Sequence, residues 1–168
     1  MQETNESTAL PLELQDLLAR EALVSEWMVI EQTDTDAFAK LTDDEDPMHN
    51  DPEWAATTHW GGTIVQAAHV LSLGAGQATH LPLPTKSDGN YYILNYGYDR
   101  VRVISPLRVG HHFRYSTKIA DVRRKSNDAW VIKLDVTVDV QGRSEPFIVY
   151  ESLVYWAKNQ DMATPVSG

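Results

Sequence analysis

GGTIVQAAHVLSLGAG, residues 61–76, is the segment most informative about how this chain folds. From Ile64 to Ala75 the sequence is apolar on nearly every side, with polar interruptions at Gln66, His69 and Ser72. A helix that is apolar all round is stable when other apolar groups surround it. We therefore predict a long central helix, residues 64–75, that follows the Gly-Gly pair and is covered by the rest of the chain.

Four segments after this helix change to the two-residue period of β-strands. Residues 129–141 show it most clearly, because apolar side chains alternate there with polar ones at Lys133, Asp135, Thr137 and Asp139. The other three strands are predicted at 91–104, 109–124 and 146–156. One more strand is predicted before the helix, at residues 25–32. The alternation describes a sheet with one face in water.

A sheet that is apolar on one face can bury an apolar helix by curling around it. The predicted fold class is therefore α+β, a hotdog fold in which a curled antiparallel sheet of about five strands surrounds a long central helix. With 168 residues the chain fits one domain, 1–168, and we expect residues 1–10 and 158–168 to be flexible tails. Shorter helices are predicted at 11–22, 33–41 and 52–58.

Composition argues against several functional classes. The net charge of −10 disfavours nucleic acid as a partner, because such binding depends on Lys and Arg that neutralise phosphates. The absence of cysteine excludes thiolate nucleophiles and iron–sulfur clusters. No segment approaches the ~20 apolar residues of a membrane span, and the first residues lack a signal-peptide pattern, so we expect no membrane association and a cytoplasmic location.

The loop TDDEDPMHND, residues 42–51, allows three interpretations from the residues alone. Acidic loops are usually solvated surface. A calcium loop is less consistent, because counting from Asp44 puts His49 and Ala55 where glycine and a bidentate glutamate are needed. In the third interpretation Asp44 and His49 hold one water between a carboxylate and an imidazole. That pairing suits general acid–base catalysis, in which one group removes a proton while the other delivers one.

Three motifs carry a resemblance to a known family. FAKLTDDEDPMHNDPEWAA at 38–56, followed by the stretch at 61–76, resembles the MaoC-like family of (R)-specific enoyl-CoA hydratases. In that family a helix ends in Asp-x-Asn-Pro-x-His-x-Asp-Pro, and a Gly-containing turn leads into the central hotdog helix. NYGYDRVRVISPLRVGHHFR at 95–114 resembles the NodN-like branch of the family, where a Tyr-Gly and a Pro-x-x-x-Gly turn recur. The resemblance spans about residues 33–156.

The resemblance implies an activity and a site. It makes Asp44 and His49 the catalytic pair for hydration of a trans-2-enoyl-CoA to an (R)-3-hydroxyacyl-CoA, or the reverse dehydration. The backbone N–H of Ala67, in the first turn of the central helix, would face the thioester oxygen, where a helix N-terminus stabilises forming negative charge. The resemblance also implies a homodimer with the substrate near the subunit boundary. We expect no cofactor.

Three positions depart from the family pattern. Asp46 stands where the family often has Asn, Gln66 where it has His, and Ala67 where many members have Gly. The departures bear on the substrate more than on the reaction. Two alternatives remain open: a hotdog thioesterase, and a catalytically silent acyl-binding protein of the same fold.

An acyl-CoA is anionic, so an acidic chain needs a local basic patch to bind it. Arg123-Arg124-Lys125 is a basic run that supplies one, unless it is only a solvated turn, and three further arginines are equally possible: Arg100, Arg102 and Arg108. The other predicted substrate-binding residues are Asp46, Trp60, Gly62 and Gln66. His69 is predicted to have a hydrogen-bonded role in the core or at a dimer interface, or else to line a substrate tunnel. No metal site is predicted, since His111 and His112 point to opposite faces of a strand.

Overall fold

The computed structural model describes residues 12–78, 80–81, 91–126 and 129–158. Its helices are α1 Leu12–Leu18, α2 Gln32–Thr42, α3 Pro47–Asn50, α4 Pro52–Ala56 and α5 Ala67–Ala78. Its strands are β1 Leu23–Val24, β2 Tyr91–Val103, β3 Phe113–Ser126, β4 Ala129–Val140 and β5 Ile148–Lys158. The predicted tail at 1–10 lies outside the described residues, and so does the predicted C-terminal tail apart from Lys158, which ends β5.

The strands form one antiparallel sheet in the order β1-β3-β4-β5-β2. Strand β4 has the predicted two faces: Ile132, Leu134 and Val138 are buried, whereas Asp135 is exposed. The buried face forms the core together with α5. The predicted α+β class and the hotdog architecture are confirmed.

Helix α5 packs closely against the middle of the sheet. The hydroxyl of Tyr115 donates a hydrogen bond to the carbonyl oxygen of Val70 at 2.6 Å. A Cβ atom at Gly74 would collide with the hydroxyl of Tyr150. Burial raises the pKa of both tyrosine hydroxyls, so both stay protonated under the helix.

The central helix differs from its prediction in both of its bounds and in its burial. It ends at Ala78 rather than at residue 75. It begins at Ala67 rather than at residue 64, because Ile64 forms an isolated bridge with Arg108 and Val65 donates to the carbonyl of Leu107 at 2.8 Å. β-Branched side chains favour such extended pairing over a helix. The helix is also not surrounded: Val70 is fully buried, but the face with Ala68, Ser72 and Gly76 is exposed. The predicted all-round burial is therefore wrong for the single chain.

The strand predicted at 25–32 is also wrong. Only Leu23–Val24 pair continuously with β3, and contact resumes as a single bridge between Met28 and Phe113. Between them the Ser25 hydroxyl accepts the N–H of Tyr115 at 3.0 Å. A side chain thereby takes a bond that a regular ladder would give to the backbone, and the pairing is interrupted.

Several boundaries shift for local reasons. Helix α1 is shorter than predicted, since the chain must turn to pair at β1. Strand β3 starts at Phe113 rather than 109, because a turn with Gly110 at φ 79° precedes it. Strand β5 starts at Ile148, because Pro146 has no N–H to give to the ladder. In the described ranges no helix has the length and apolar character needed to cross a bilayer.

Candidate active site

A cavity of about 340 Å³ lies between the start of α5, the C-terminal end of β2 and the residues just before β5. Its walls are mostly apolar and include His49, Trp60, Ala67, Ile104, Pro106 and Phe147. His49 is the ionisable side chain among the described lining residues. A smaller cavity of about 200 Å³, between β1 and the C-terminal end of α5, contains none of the predicted site residues. The larger cavity is therefore the candidate active site.

The short helix α3 presents His49 to this cavity. Its N-cap is Asp46, whose carboxylate accepts the N–H of Met48 at 2.9 Å, and Pro47 occupies its first turn. Asn and Asp are equivalent at an N-cap, so the departure at position 46 preserves the local structure. The predicted loop at 42–51 thus contains a helix, because the cap and the proline supply what a four-residue helix needs.

The imidazole of His49 is buried and held in one orientation. The residue is 9% exposed, and the ring Nδ1 lies 2.6 Å from the carbonyl oxygen of Ile64. A carbonyl oxygen can only accept, so Nδ1 carries the hydrogen in this bond. In the neutral ring the free lone pair is then on Nε2. This nitrogen can remove a proton from a water molecule or, once protonated, return it.

Gln32, which the sequence analysis missed, connects the elements around His49. Its amide nitrogen donates to the backbone carbonyl of His49 at 2.8 Å, and its amide oxygen accepts the hydroxyl of Thr63 at 2.6 Å. The N–H of Ile64 also donates to the carbonyl of Met48 at 3.0 Å. These bonds join α2, α3 and the segment before α5. A polar residue at a helix start gives no sequence signal that separates this role from simple solvation.

Asp44 lies on the turn that ends α2. The preceding residue, Asp43, is the C-cap in the left-handed conformation at φ 59°, and the N–H of Asp44 donates to the carbonyl of Ala39 at 3.0 Å. The carboxylate of Asp44 is exposed and makes no hydrogen bond or ion pair with the described residues. The cavity lining does not include it. The structure therefore brings His49 to the cavity and places Asp44 on the neighbouring exposed turn.

Three other acidic residues of the loop have structural roles: Asp43, Asp46 and Asp51. Asp46 caps α3, and the carboxylate of Asp51 caps α4 by accepting the N–H of Trp54 at 2.9 Å. Asp43 ends α2. Among the described residues no group of three or more His, Asp or Glu side chains is arranged to hold a metal ion.

Ala67 and Gln66 separate at the start of α5. Ala67 is the first residue of the helix and lines the cavity. Its N–H is among the first N–H groups of the helix, which have no acceptor within it. Gln66 is 3% exposed and turns towards α2, where its amide nitrogen donates to the carbonyl of Thr35 at 3.3 Å. Gln66 thus holds α2 against the start of α5.

Gly62 and Trp60 also differ in their surroundings. Trp60 lines the cavity. Gly62 lies under the guanidinium of Arg108, and a Cβ atom at this glycine would come within 2.8 Å of Arg108 Nη2. That nitrogen donates to the carbonyl of Gly61 at 2.7 Å. The Gly-Gly pair therefore makes room for Arg108.

The basic run is at the far end of the sheet. Arg123 pairs with Val131 in the ladder, and its guanidinium lies 3.3 Å from the carboxylate of Asp121. Arg124 donates through Nε to the carbonyl of Ser126 at 3.1 Å. The cavity lies towards the other end of the sheet. Phe147, which lines it, donates to the carbonyl of Val138, and the ladder partner of Val138 is Tyr115, eight residues or about 26 Å from Arg123 along β3. The structure does not bring Arg123 and Arg124 to the cavity.

His69 packs between α5 and α2. Its ring lies parallel to that of Phe38, with 4.5 Å between centroids and 2° between planes. Burial lowers the pKa of His69, and the negative charge of Asp34 partly opposes this shift. Its buried Nδ1 has no hydrogen-bond partner among the described residues, and the ring is not part of the cavity lining. His69 thus packs against α2 as one of its two predictions expects, but within the described chain its Nδ1 lacks the hydrogen bond that this prediction included.

Comparison with known proteins gives consistent matches. The family model described as "MaoC like domain" matches residues 13–141. The chain is 32% identical over 130 residues to 3-hydroxyacyl-thioester dehydratase Z of Mycobacterium tuberculosis. The match covers 77% of this chain and 84% of that protein. It is 34% identical over 124 residues to nodulation protein N of Rhizobium leguminosarum bv. viciae, covering 73% and 75%. Among solved structures, the (R)-hydratase from A. caviae involved in PHA biosynthesis superposes with a TM-score of 0.65 at 23% identity, covering 80% of this chain and 95% of that one.

Proposed function

The chain belongs to the MaoC-like domain family and is a hydratase or dehydratase, and we propose that it hydrates a trans-2-enoyl-CoA to an (R)-3-hydroxyacyl-CoA and catalyses the reverse dehydration. The observation that carries the proposal is the position of His49. Its ring lines an apolar cavity, its Nδ1 is committed to the carbonyl of Ile64, and its Nε2 is left to exchange a proton. An apolar cavity with one positioned ionisable group suits an acyl chain that must meet a single water.

In the proposed reaction the water oxygen bonds to C3 while one of its protons passes to the dyad, which is the pair Asp44 and His49. The electrons of the C2=C3 bond move towards the thioester oxygen, and a proton is delivered to C2 as they return. One O–H bond and one C=C π bond are broken, and one C–O and one C–H bond are formed. The dyad ends in its starting protonation state, so no co-reactant is needed.

His49 and Asp44 are proposed to share this proton transfer. Neutral His49 presents Nε2 as the acceptor, because Nδ1 donates to Ile64. Asp44 lies five positions before His49, on the turn that leads into α3, and its carboxylate is not engaged with other described residues. A carboxylate that makes no other bond can hold the water from the second side.

The N–H of Ala67 is proposed to stabilise the charge on the thioester oxygen. It lies in the first turn of α5, where N–H groups lack acceptors and the helix dipole favours an anion. Alanine supplies the same N–H as glycine, while its methyl group takes space from the cavity that it lines. We expect this methyl group to affect which acyl groups fit, rather than whether the reaction occurs.

A homodimer is proposed because the cavity of one chain is open on one side. Val103 and Ile104 line it and are nevertheless 52% and 50% exposed. Val103 is the last residue of β2, an edge strand of the sheet, and Ile104 follows it. One face of α5 is exposed as well. A second copy would cover apolar surface that a monomer leaves in water. Light scattering after size exclusion should give about twice the chain mass, and a monomeric mass would contradict this part.

The exposed position of Asp44 is the observation that favours the acyl-binding alternative. An assay with enoyl-CoA separates the possibilities. The proposed hydratase removes the absorbance of the conjugated thioester without release of free thiol, whereas a thioesterase releases thiol. Binding without either change would support the acyl-binding alternative and contradict the proposal.

A further inference from the structure

Two guanidinium groups lie beside the cavity without a carboxylate partner. Arg108 donates through Nη2 to the carbonyl of Gly61, and Arg143 donates through Nη1 to the carbonyl of Pro106, each at 2.7 Å. Elsewhere in the described chain four basic side chains pair with Asp or Glu: Arg100, Arg114, Arg123 and Lys133. Arg108 and Arg143 are exposed and belong to no such ion pair among the described residues. Their charge is therefore available to another anion.

Both arginines are attached to the wall of the cavity. Pro106, whose carbonyl holds Arg143, lines the cavity. Arg108 bridges with Ile64, which also lines the cavity and whose carbonyl meets His49. Each guanidinium has five N–H donors and uses one in the bond described, so donors remain for a ligand.

The guanidinium of Arg108 lies against the backbone of Gly61 and Gly62. Gly61 has φ 66°, in the left-handed region that glycine adopts without strain. At Gly62 a Cβ atom would come within 2.8 Å of Nη2 and 3.4 Å of the central carbon of the guanidinium. Arg108 therefore rests directly on the backbone, which limits the positions of a long side chain.

The positive charges of Arg108 and Arg143 are opposite in sign to the net charge of the chain. The chain carries a net charge of −10, which repels an anionic substrate from most of its surface. Planar guanidinium groups bind phosphate oxygens through paired hydrogen bonds. We infer that Arg108 and Arg143 form an anion subsite at the cavity mouth that receives phosphate groups of the coenzyme A part of the substrate. This inference rests on the proposed function.

The test compares two thioesters with the same acyl group, crotonyl-CoA and crotonyl-N-acetylcysteamine, of which the second has no phosphates. For each single variant, Arg108→Gln and Arg143→Gln, we expect KM for crotonyl-CoA to rise about fivefold to tenfold with kcat unchanged. This is the effect expected from the loss of a charged hydrogen bond at an exposed site. KM for the truncated thioester should not change. Added salt should raise KM for crotonyl-CoA less in the double variant than in the wild type, because less charge remains to be screened.

Two controls accompany these variants. Arg20→Gln removes an exposed arginine beyond α1 and should leave both KM values unchanged. Arg123→Gln tests the basic run at the far end of the sheet. The inference is overturned if the double variant changes KM for both thioesters equally or for neither, or if the selective loss follows Arg123 instead.

A binding measurement makes the inference independent of turnover. Calorimetric titration with adenosine 3′,5′-bisphosphate should show binding to the wild type and a loss of about tenfold in affinity in the double variant. If the wild type hydrates neither thioester but this loss is seen, the proposed function fails while the anion subsite stands. Equal affinity of wild type and double variant, or no binding to either, would refute the subsite.

Discussion

Nδ1 of His49 lies 2.6 Å from the carbonyl oxygen of Ile64. This contact joins the four-residue helix α3 to the extended segment that leads into α5. It determines which ring nitrogen carries the hydrogen, because a carbonyl cannot donate. The same segment continues to Ala67, so one stretch of backbone orients the imidazole and presents the N–H proposed to face the thioester oxygen.

Gln32→Ala should weaken both stability and activity. The change leaves the carbonyl of His49 and the hydroxyl of Thr63 without their partners, which should lower the free energy of unfolding by about 1 to 3 kcal/mol. Less precise positioning of His49 should lower kcat about tenfold. Urea unfolding and steady-state kinetics measure the two effects, with Thr33→Ala, an exposed neighbour on the same helix, as control. Unchanged values for both would show that Gln32 does not hold the site.

Two glycines of α5 offer a matched pair. Gly74→Ala should destabilise the fold by about 1 to 3 kcal/mol, because the new methyl group collides with the hydroxyl of Tyr150 and approaches Tyr115 to 3.2 Å. Gly76→Ala should cost less than Gly74→Ala, because within the chain its Cβ meets no atom within 4 Å and alanine favours the helix. Thermal unfolding of the two variants is the measurement. Similar effects at both positions would contradict the packing described for α5.

The stack of His69 on Phe38 predicts a pH-dependent stability. Burial lowers the pKa of His69 below its ordinary value of 6.5, so the unfolded chain binds the proton more readily than the folded chain. Its contribution to the free energy of unfolding is therefore constant above that value and decreases as the pH falls from there towards the lowered pKa. His69→Phe keeps an aromatic ring at this position, but the phenyl ring cannot bind a proton. The free energy of unfolding of the wild type relative to this variant should therefore fall on acidification.

His69→Ala supplies the control for the stack itself. It should lose about 0.5 to 1.5 kcal/mol beyond the loss from burial alone, since it removes the parallel ring contact. Chemical unfolding across a pH series measures all three proteins. A constant difference between wild type and His69→Phe over the acid range would contradict the assigned effect of burial.

Much of the fold could be predicted because local pattern and tertiary position agree. The alternation along β4 matches its buried and exposed faces, and α2 lies within a residue of its predicted range. The start of α5 was misplaced because Ile64 and Val65 are as apolar as the helix that follows, and only their pairing with the segment around Arg108 shows them to be extended.

The candidate site was predictable in part. His49 was identified from its place in a motif, and the structure puts it at the cavity. Arg108 could not be distinguished from other arginines, because its position depends on a bridge between residues 44 positions apart and on the space above Gly62. Gln32 was missed for the same reason, since its partners lie 17 and 31 residues away in the sequence.

The roles proposed for Asp44 and His49 are tested by the rate at which the wild type and three variants hydrate crotonyl-CoA. We expect Asp44→Asn and His49→Gln each to lower kcat by about 100-fold or more, with an unchanged circular dichroism spectrum. Asp43→Asn should retain activity, because asparagine also accepts the left-handed conformation of that C-cap. Hydration at the wild-type rate by either Asp44→Asn or His49→Gln would contradict the claim that these two residues carry the reaction.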